Sequence, residues 1–276
     1  MTDANATAVD WTGPRRQPCP ACDRGPHDRA LSITANPDGS SIAHCFRCGL
    51  VETTRGESRP GQVKSRPAVP LKNETLSEHG RELWRACRPV SGPALAYLEA
   101  RACAIPPADG ALRWHAELEH KPSGYRGAAL VALVSEAATG RPLTLHRTWI
   151  RPDGTKAAVS PPRMLLGGHR KAGGVIRLWP DDAVSVALGV AEGIETALSL
   201  AHAAAPCWAA VDAGNLAALP VLPGIETLTI GADNDPAGRQ AARRCATRWA
   251  RAGRAVYVVT APGARADLND LAQEVA

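Results

Sequence analysis

Continuous apolar runs that end abruptly in acid mark the last third of the chain. Val186-Ala-Leu-Gly-Val-Ala runs into Glu192-Gly193, and Thr229-Ile-Gly-Ala runs into Asp233-Asn-Asp235-Pro-Ala-Gly238. Such runs read as parallel strands buried on both faces. The pattern predicts strands over Val184–Ala191, Cys207–Val211, Thr227–Ala232 and Ala255–Val259. Between them it predicts helices over Ile194–Ala205, Leu216–Leu219 and Pro236–Ala252, the last stopped by Gly253. Strands alternating with helices imply a doubly wound parallel sheet. Ligands sit beyond the carboxyl ends of such strands, so Glu192, Asp233 and Asp235 are expected on one edge.

The middle of the chain has a different rhythm. Ser77–Arg88 and Gly92–Arg101 have helical spacing, with Leu95 and Leu98 on one face of the second. Ala128–Ser135 and Leu143–Ile150 are strand-like and are separated by a turn at Ala138-Thr139-Gly140, which predicts an antiparallel hairpin. A second turn follows at Pro152-Asp153-Gly154. Residues 53–75 are rich in Pro, Gly, Ser and charge and read as a flexible linker. The expected organisation is a zinc ribbon at 1–52, that linker, a basic mixed α/β subdomain at 76–182 and a parallel-sheet domain at 183–276.

Cysteine spacing supplies the first part. Cys19-Pro-Ala-Cys22 and Cys45-Phe-Arg-Cys48 are twenty-two residues apart. Two such turns complete a tetrahedral thiolate site for structural Zn2+. Leu31-Ser-Ile-Thr and Ser41-Ile-Ala-His, with Asn36-Pro-Asp-Gly39 between them, read as the bridging hairpin. Cys87, Cys103, Cys207 and Cys245 have no partner at ligand spacing and read as small buried hydrophobes. Arg15, Arg16, Arg24, Arg29 and Arg47 flank the ribbon and point to nucleic acid. No apolar run approaches membrane-spanning length and no signal pattern opens the chain, so a cytoplasmic, non-membrane protein is the expectation.

Charge adds a direction. The net charge is only +5, yet residues 121–177 carry ten Lys and Arg against Glu136 and Asp153. A basic block beside an acidic edge suits a polyanion whose reacting phosphate is neutralised by metal. A solvated basic face is the plainer alternative. Three clustered carboxylates repel unless hard cations hold them, which selects Mg2+ or Mn2+. Each acid also has a plainer reading: Asp235 before Pro236 is an ordinary N-cap, and Glu192 a surface turn. After the last strand, Asp267 reads equally as a ligand or as a cap, and Asp270, in a loop before a helix, more readily as a cap.

These residues carry a resemblance. Glu192-Gly193 and Asp233-x-Asp235, with a parallel sheet between, resemble the Toprim domain of DnaG-type primases, topoisomerases and some nucleases. The order of zinc ribbon, linker, basic segment and Toprim resembles phage and plasmid primases, and Ala191–Leu198 and Ala232–Gly238 resemble the Toprim proteins of mobile elements. Tyr97-Leu98-Glu99-Ala100-Arg101 is similar to the element that opens the primase polymerase core. Leu145-His146-Arg147-Thr148 and Lys156 are similar to its basic motif.

The resemblance implies a DNA primase, a nucleotidyltransferase that makes RNA primers from ribonucleoside triphosphates on a single-stranded DNA template. It implies Glu192, Asp233 and Asp235 as catalytic ligands with Asp267 as a fourth, and Arg147, Lys156, Arg163 and Arg126 as contacts to nucleotide or template. Trp149, Trp114 and Phe46 are candidates for base stacking or for core. Thr196 stands where DnaG-type enzymes often have Asp, and the zinc set is all cysteine. No P-loop pattern and no helicase-binding bundle are seen, so a helicase is expected as a separate chain. A Toprim nuclease or RNA-processing enzyme, or a non-catalytic single-strand-binding accessory, is the alternative.

Overall fold

The structure is a computed structural model that describes residues 9–22, 28–35, 39–45, 50–54, 73–263 and 266–275. These residues form two compact units, 1–69 with 235–237, and 70–234 with 238–276.

The first unit is a four-stranded antiparallel sheet in the order β1 (Arg16–Gln17), β2 (Leu31–Ala35), β3 (Ser41–Cys45) and β4 (Val51–Thr54). The expected hairpin is β2 and β3, paired from Leu31↔Cys45 to Ala35↔Ser41. Alternation buries Leu31 and Ile33 on one face, over Ala43, Cys19 and Cys45. So small an apolar set calls for a further cross-link. Most of the expected linker, residues 55–72, lies outside the described residues, and β4 continues the ribbon to Thr54.

The second unit opens with α1 (Glu78–Ala86), capped by Ser77, whose Oγ accepts the Gly80 N–H at 3.3 Å. β5 (Arg88–Pro89) and α2 (Pro93–Glu99) follow, then β6 (Leu112–His120), β7 (Tyr125–Glu136) and β8 (Pro142–Trp149). The hairpin of β7 and β8 is the expected one, and β6 pairs with the other edge of β7. The apolar pattern did not reveal β6, because Trp, His and Glu alternate there with few aliphatics. Two short strands, β9 (Arg163–Leu165) and β10 (Gly174–Ile176), complete this half.

The alternating half follows its sequence pattern closely: β11 (Ala187–Ala191), α3 (Ile194–Ala204), β12 (Cys207–Ala209), α4 (Ala213–Ala218), β13 (Thr227–Ala232), α5 (Pro236–Arg251), β14 (Ala255–Thr260) and α6 (Leu268–Val275). Strands β14, β13, β11 and β12 are parallel neighbours. In α5 the buried positions Gly238, Ala241, Ala242, Cys245 and Trp249 fall on one stripe of helical period. Gly253, at φ +77°, closes the helix: its N–H reaches Ala250 and that of Arg254 reaches Trp249.

Both halves share one ten-stranded sheet. β10 pairs antiparallel with β7 on one side and with β12 on the other. One core packs α4 and α5 against Leu188, Val190, Leu228 and Ile230; a second packs α2 and α3 against Ile150, Ile176 and Ala209. Cys87, Cys103, Cys207 and Cys245 are buried as expected. Among the described residues no helix is long and apolar enough to cross a membrane.

Ile230, fully buried in the parallel sheet, gives a direct test of this core. Ile230→Ala should lower unfolding stability by about 2–5 kcal/mol in urea titration, with little change in circular dichroism at zero denaturant.

Candidate functional site

Parallel register fixes where the acids stand. Ala191 lies opposite Gly231, so Glu192 and Asp233 follow the ends of neighbouring strands, which run about 4.8 Å apart. Both are partly buried, and Glu192-Gly193 leads directly into α3. Asp235 stands just before α5. Between the two aspartates, Asn234 staples the edge: its Nδ2 donates to Ala261 O at 3.0 Å and Gly263 O at 2.9 Å, and its N–H reaches Ala266 O. This holds the turn after β13 to the loop after β14. A Cβ on Gly238 would stand 2.6 Å from Asp233 O, so only glycine lets α5 begin this close to the turn.

Three more acids sit at this edge and all serve in caps. Asp267 Oδ1 accepts the N–H groups of Asn269 and Asp270 at 2.7 and 2.9 Å, and Asp270 Oδ2 accepts the Asp267 N–H. Helix α6 thereby has a reciprocal N-terminal cap, and the even choice for Asp267 between cap and ligand resolves into a cap on one of its oxygens. Asp212, after β12, caps α4 through Oδ1 and takes Lys171 Nζ at 2.7 Å on Oδ2. Val211 beside it holds φ +73°, a sparsely populated conformation for a β-branched residue.

The acid that organises the neighbouring charge is Glu195, in the first turn of α3, which sequence reasoning missed. Its Oε1 accepts the Tyr97 hydroxyl at 2.6 Å and lies 3.4 Å from Lys156 Nζ and 3.7 Å from an Arg163 nitrogen. Burial alone would raise the Glu195 pKa, but Arg163, Lys156 and the Tyr97 hydroxyl outweigh it and bring it down to about 2. Burial, reinforced by that carboxylate, pushes Tyr97 up. Burial also lowers Lys156, against the pull of Glu195. His146 belongs to the same group: burial drives it down to about 4, so it is neutral at pH 7, and its buried Nδ1 has no hydrogen-bond partner among the described residues. The signal in the sequence was the Tyr97 element, whose hydroxyl needs a buried acceptor.

The four basic residues implied as one contact set divide between the two faces of the sheet. Thr148 pairs with Arg163 and Ile150 with Lys156, which puts these cations on the His146 face. Arg147, one residue along, points to the other face, where it lines a cavity with Arg126. Trp149 is fully buried and donates Nε1–H to Leu118 O, so it is core rather than a stacking platform. Trp114 is partly buried and bonds Ser91. Phe46 lies outside the described residues.

In the ribbon the sulfurs of Cys19, Cys22 and Cys45 lie within 4.8 Å of one another, and those of Cys22 and Cys45 are 3.7 Å apart. Thiolates about 2.3 Å from a tetrahedral Zn2+ stand about 3.8 Å apart, so the trio fits that ion. Cys48 lies outside the described residues. Among the described residues no carboxylate trio converges as tightly.

Glu195 is held below its ordinary 4.5 and His146 below its ordinary 6.5, so both contribute stability at neutral pH that acid removes. The His146 contribution is lost as pH falls from 6.5 to about 4, and that of Glu195 from 4.5 to about 2, each roughly 3 kcal/mol in full. Urea unfolding across this range should show both losses, and Glu195→Gln should abolish the lower one. For the ribbon, atomic absorption should find one zinc per chain. Cys22→Ser should lose it and expose residues 9–54 to protease.

Residues 187–276 match the family model described as Toprim domain, and residues 74–178 match one described as a domain of unknown function, DUF7146. No curated protein matches the chain. Among solved structures, a DNA primase domain from Pseudomonas aeruginosa aligns at 16% identity and TM-score 0.37, over 57% of this chain and 52% of that one. The zinc-binding and RNA polymerase domains of the Aquifex aeolicus primase align at 16% and 0.44, over 66% and 52%. The primase fragment of the bacteriophage T7 primase-helicase protein aligns at 16% and 0.42, over 94% of each. The chain thus spans about half the length of the first two. With its acids at the carboxyl ends of β11 and β13, the part of the chain from residue 187 onward is a Toprim domain.

Proposed function

We propose that the chain is a DNA primase, joining ribonucleotides on a single-stranded DNA template. The observation that carries this reading is the juxtaposition on one helix: Glu192 at the entry to α3 and, one turn on, Glu195 holding Lys156 and Arg163. Acids suited to divalent cations thus stand at the start of α3 in the Toprim domain, and cations suited to phosphate reach the same turn from outside that domain.

In this reading Glu192, Asp233 and Asp235 would hold Mg2+ or Mn2+, which when bound activates the attacking hydroxyl and neutralises the leaving pyrophosphate. Their hard oxygens suit such ions. Lys156 and Arg163 bind the triphosphate. Glu195 keeps both side chains extended when no phosphate is present, so their ordering cost, about 2 kcal/mol of rotamer entropy each, is met on folding. His146, neutral in its buried seat, adds no charge to the nucleotide's surroundings and keeps a ring nitrogen for hydrogen bonding. The ribbon, with a Zn2+ on Cys19, Cys22, Cys45 and Cys48, would hold the template, and a separate helicase would supply it.

Incubation with labelled ribonucleoside triphosphates, Mg2+ and single-stranded DNA should yield short RNA. Asp233→Ala and Asp235→Ala should each reduce synthesis at least a hundredfold while leaving single-strand binding within about twofold. Binding should weaken steeply with salt. Synthesis that survives both substitutions would remove the metal assignment, and DNA or RNA cleavage without nucleotide-dependent product would replace primer synthesis with a nuclease.

A further inference from the structure

Residues 183–276 hold nine acids, seven arginines and no lysine, so this domain as a whole is acidic. Five of those arginines nevertheless stand on α5, which carries Arg239, Arg243, Arg244, Arg248 and Arg251 and no acid at all. A charged face that serves solubility intersperses both signs. Helix α1 does so: Glu78 takes Arg81 at 3.9 Å and Arg85 at 2.9 Å. On α5 like charges instead stand four residues apart, Arg239 with Arg243 and Arg244 with Arg248, a spacing that costs helix stability.

Local structure accounts for two of the five. Arg239 donates Nη1–H to Asn234 Oδ1 at 2.8 Å, and Arg248 donates to the carbonyls of Ala217 and Leu219 at the end of α4. Arg243, Arg244 and Arg251 are exposed, and among the described residues no carboxylate lies within 4 Å of them. The helix dipole favours Arg251 in the last turn but not the two arginines at mid-helix. With Thr247 and Arg248 these three line one surface hollow of about 470 Å³.

The chemistry of this face selects its partner. Every cation on it is arginine, whose planar fork matches phosphate and carboxylate alike. A protein partner needs an apolar or aromatic anchor at the centre of its interface. Between Arg239 and Arg251 the exposed side of α5 offers no apolar side chain larger than alanine, and Trp249 is fully buried. The face therefore cannot stack a base either, and what it fits is the sugar–phosphate backbone, with the Thr247 hydroxyl as a neutral donor among the guanidiniums. Arg239, Arg243, Thr247 and Arg251 form a row with one side chain about every 6 Å along the helix. A duplex carries one charge per about 1.7 Å of its axis, twice the density of either strand, and turns its bases inward. We infer that the outer face of α5 docks double-stranded nucleic acid without regard to sequence. Helix α5 packs on the face of the parallel sheet opposite α3, so this surface is separate from Lys156 and Arg163. It takes a duplex rather than a single-stranded template, and it does not depend on the primer-synthesis reading.

Fluorescence anisotropy of the whole protein, with a labelled DNA duplex of about 20 base pairs, a dT20 strand and polyglutamate as probes, tests this. The triple variant Arg243→Gln, Arg244→Gln, Arg251→Gln should weaken duplex binding at least tenfold and leave dT20 within about twofold. The slope of log affinity against log salt for the duplex should flatten by about 2–3, as three lost phosphate contacts require. The substitutions relieve crowding of like charges, so the variant should melt no lower than the parent. A clear drop in melting temperature would mark these arginines as structural and overturn the site. Should the triple variant fail to fold, Arg244→Gln with Arg251→Gln should still weaken the duplex severalfold. Unchanged duplex affinity, or weaker binding with an unchanged salt slope, overturns the site. Equal loss of duplex and dT20 overturns the choice of a duplex over a single strand. Loss of polyglutamate binding alone overturns nucleic acid as the partner and makes the face a dock for an acidic protein.

Discussion

Three residues, Gly174–Ile176, set the terms for the larger unit. Strand β10 hydrogen-bonds to β7 along its length and to β12 at Ile176, so an antiparallel half and a parallel half become one sheet. Without that join, helix α3 would have only its own strands to pack on. With it, α2 from the first half lies against α3 from the second, and Leu98, Cys103, Ala197 and Leu198 share a core. The Tyr97–Glu195 bond spans ninety-eight residues of sequence and is possible only across this packing. Asn269 adds a second tie, donating to Arg101 O and Ser199 Oγ.

What could be read in advance follows from how local each cause is. The parallel strands were legible almost residue by residue, because burial on both faces leaves an unbroken apolar run. Thr227–Ala232 has the bounds its pattern predicts, and Gly253 ends α5 where a left-handed residue is required. Strand β10 escaped notice because three buried residues make no pattern. Glu195 escaped because an acid in the first turn of a helix has a sufficient local reason to be there, the helix dipole. Its real partners, Tyr97, Lys156 and Arg163, lie far away in sequence and carry no spacing signal.

The basic segment shows the same limit in another form. Charge can be counted along a chain, but a strand sends neighbouring residues to opposite faces. His146 and Arg147 are adjacent in sequence and sit in different electrostatic surroundings, one beside a carboxylate and two cations, the other before an open cavity. A loop between β8 and β9 interrupts the alternation, so the side taken by Lys156 or Arg163 could not be carried over from Arg147. Counting gave the excess of charge but not the face of the sheet that each cation takes.

Gly238 bears on how the acidic motif itself should be read. The atom it excludes would strike the carbonyl and the Cβ of Asp233, not its carboxylate. A descendant of this chain that had lost all chemistry would still need that glycine to fold. It would be under no such obligation to retain a carboxylate at 192. Of the letters in the motif, then, the glycine records ancestry and architecture, while the acids alone could report whether an activity is still being kept.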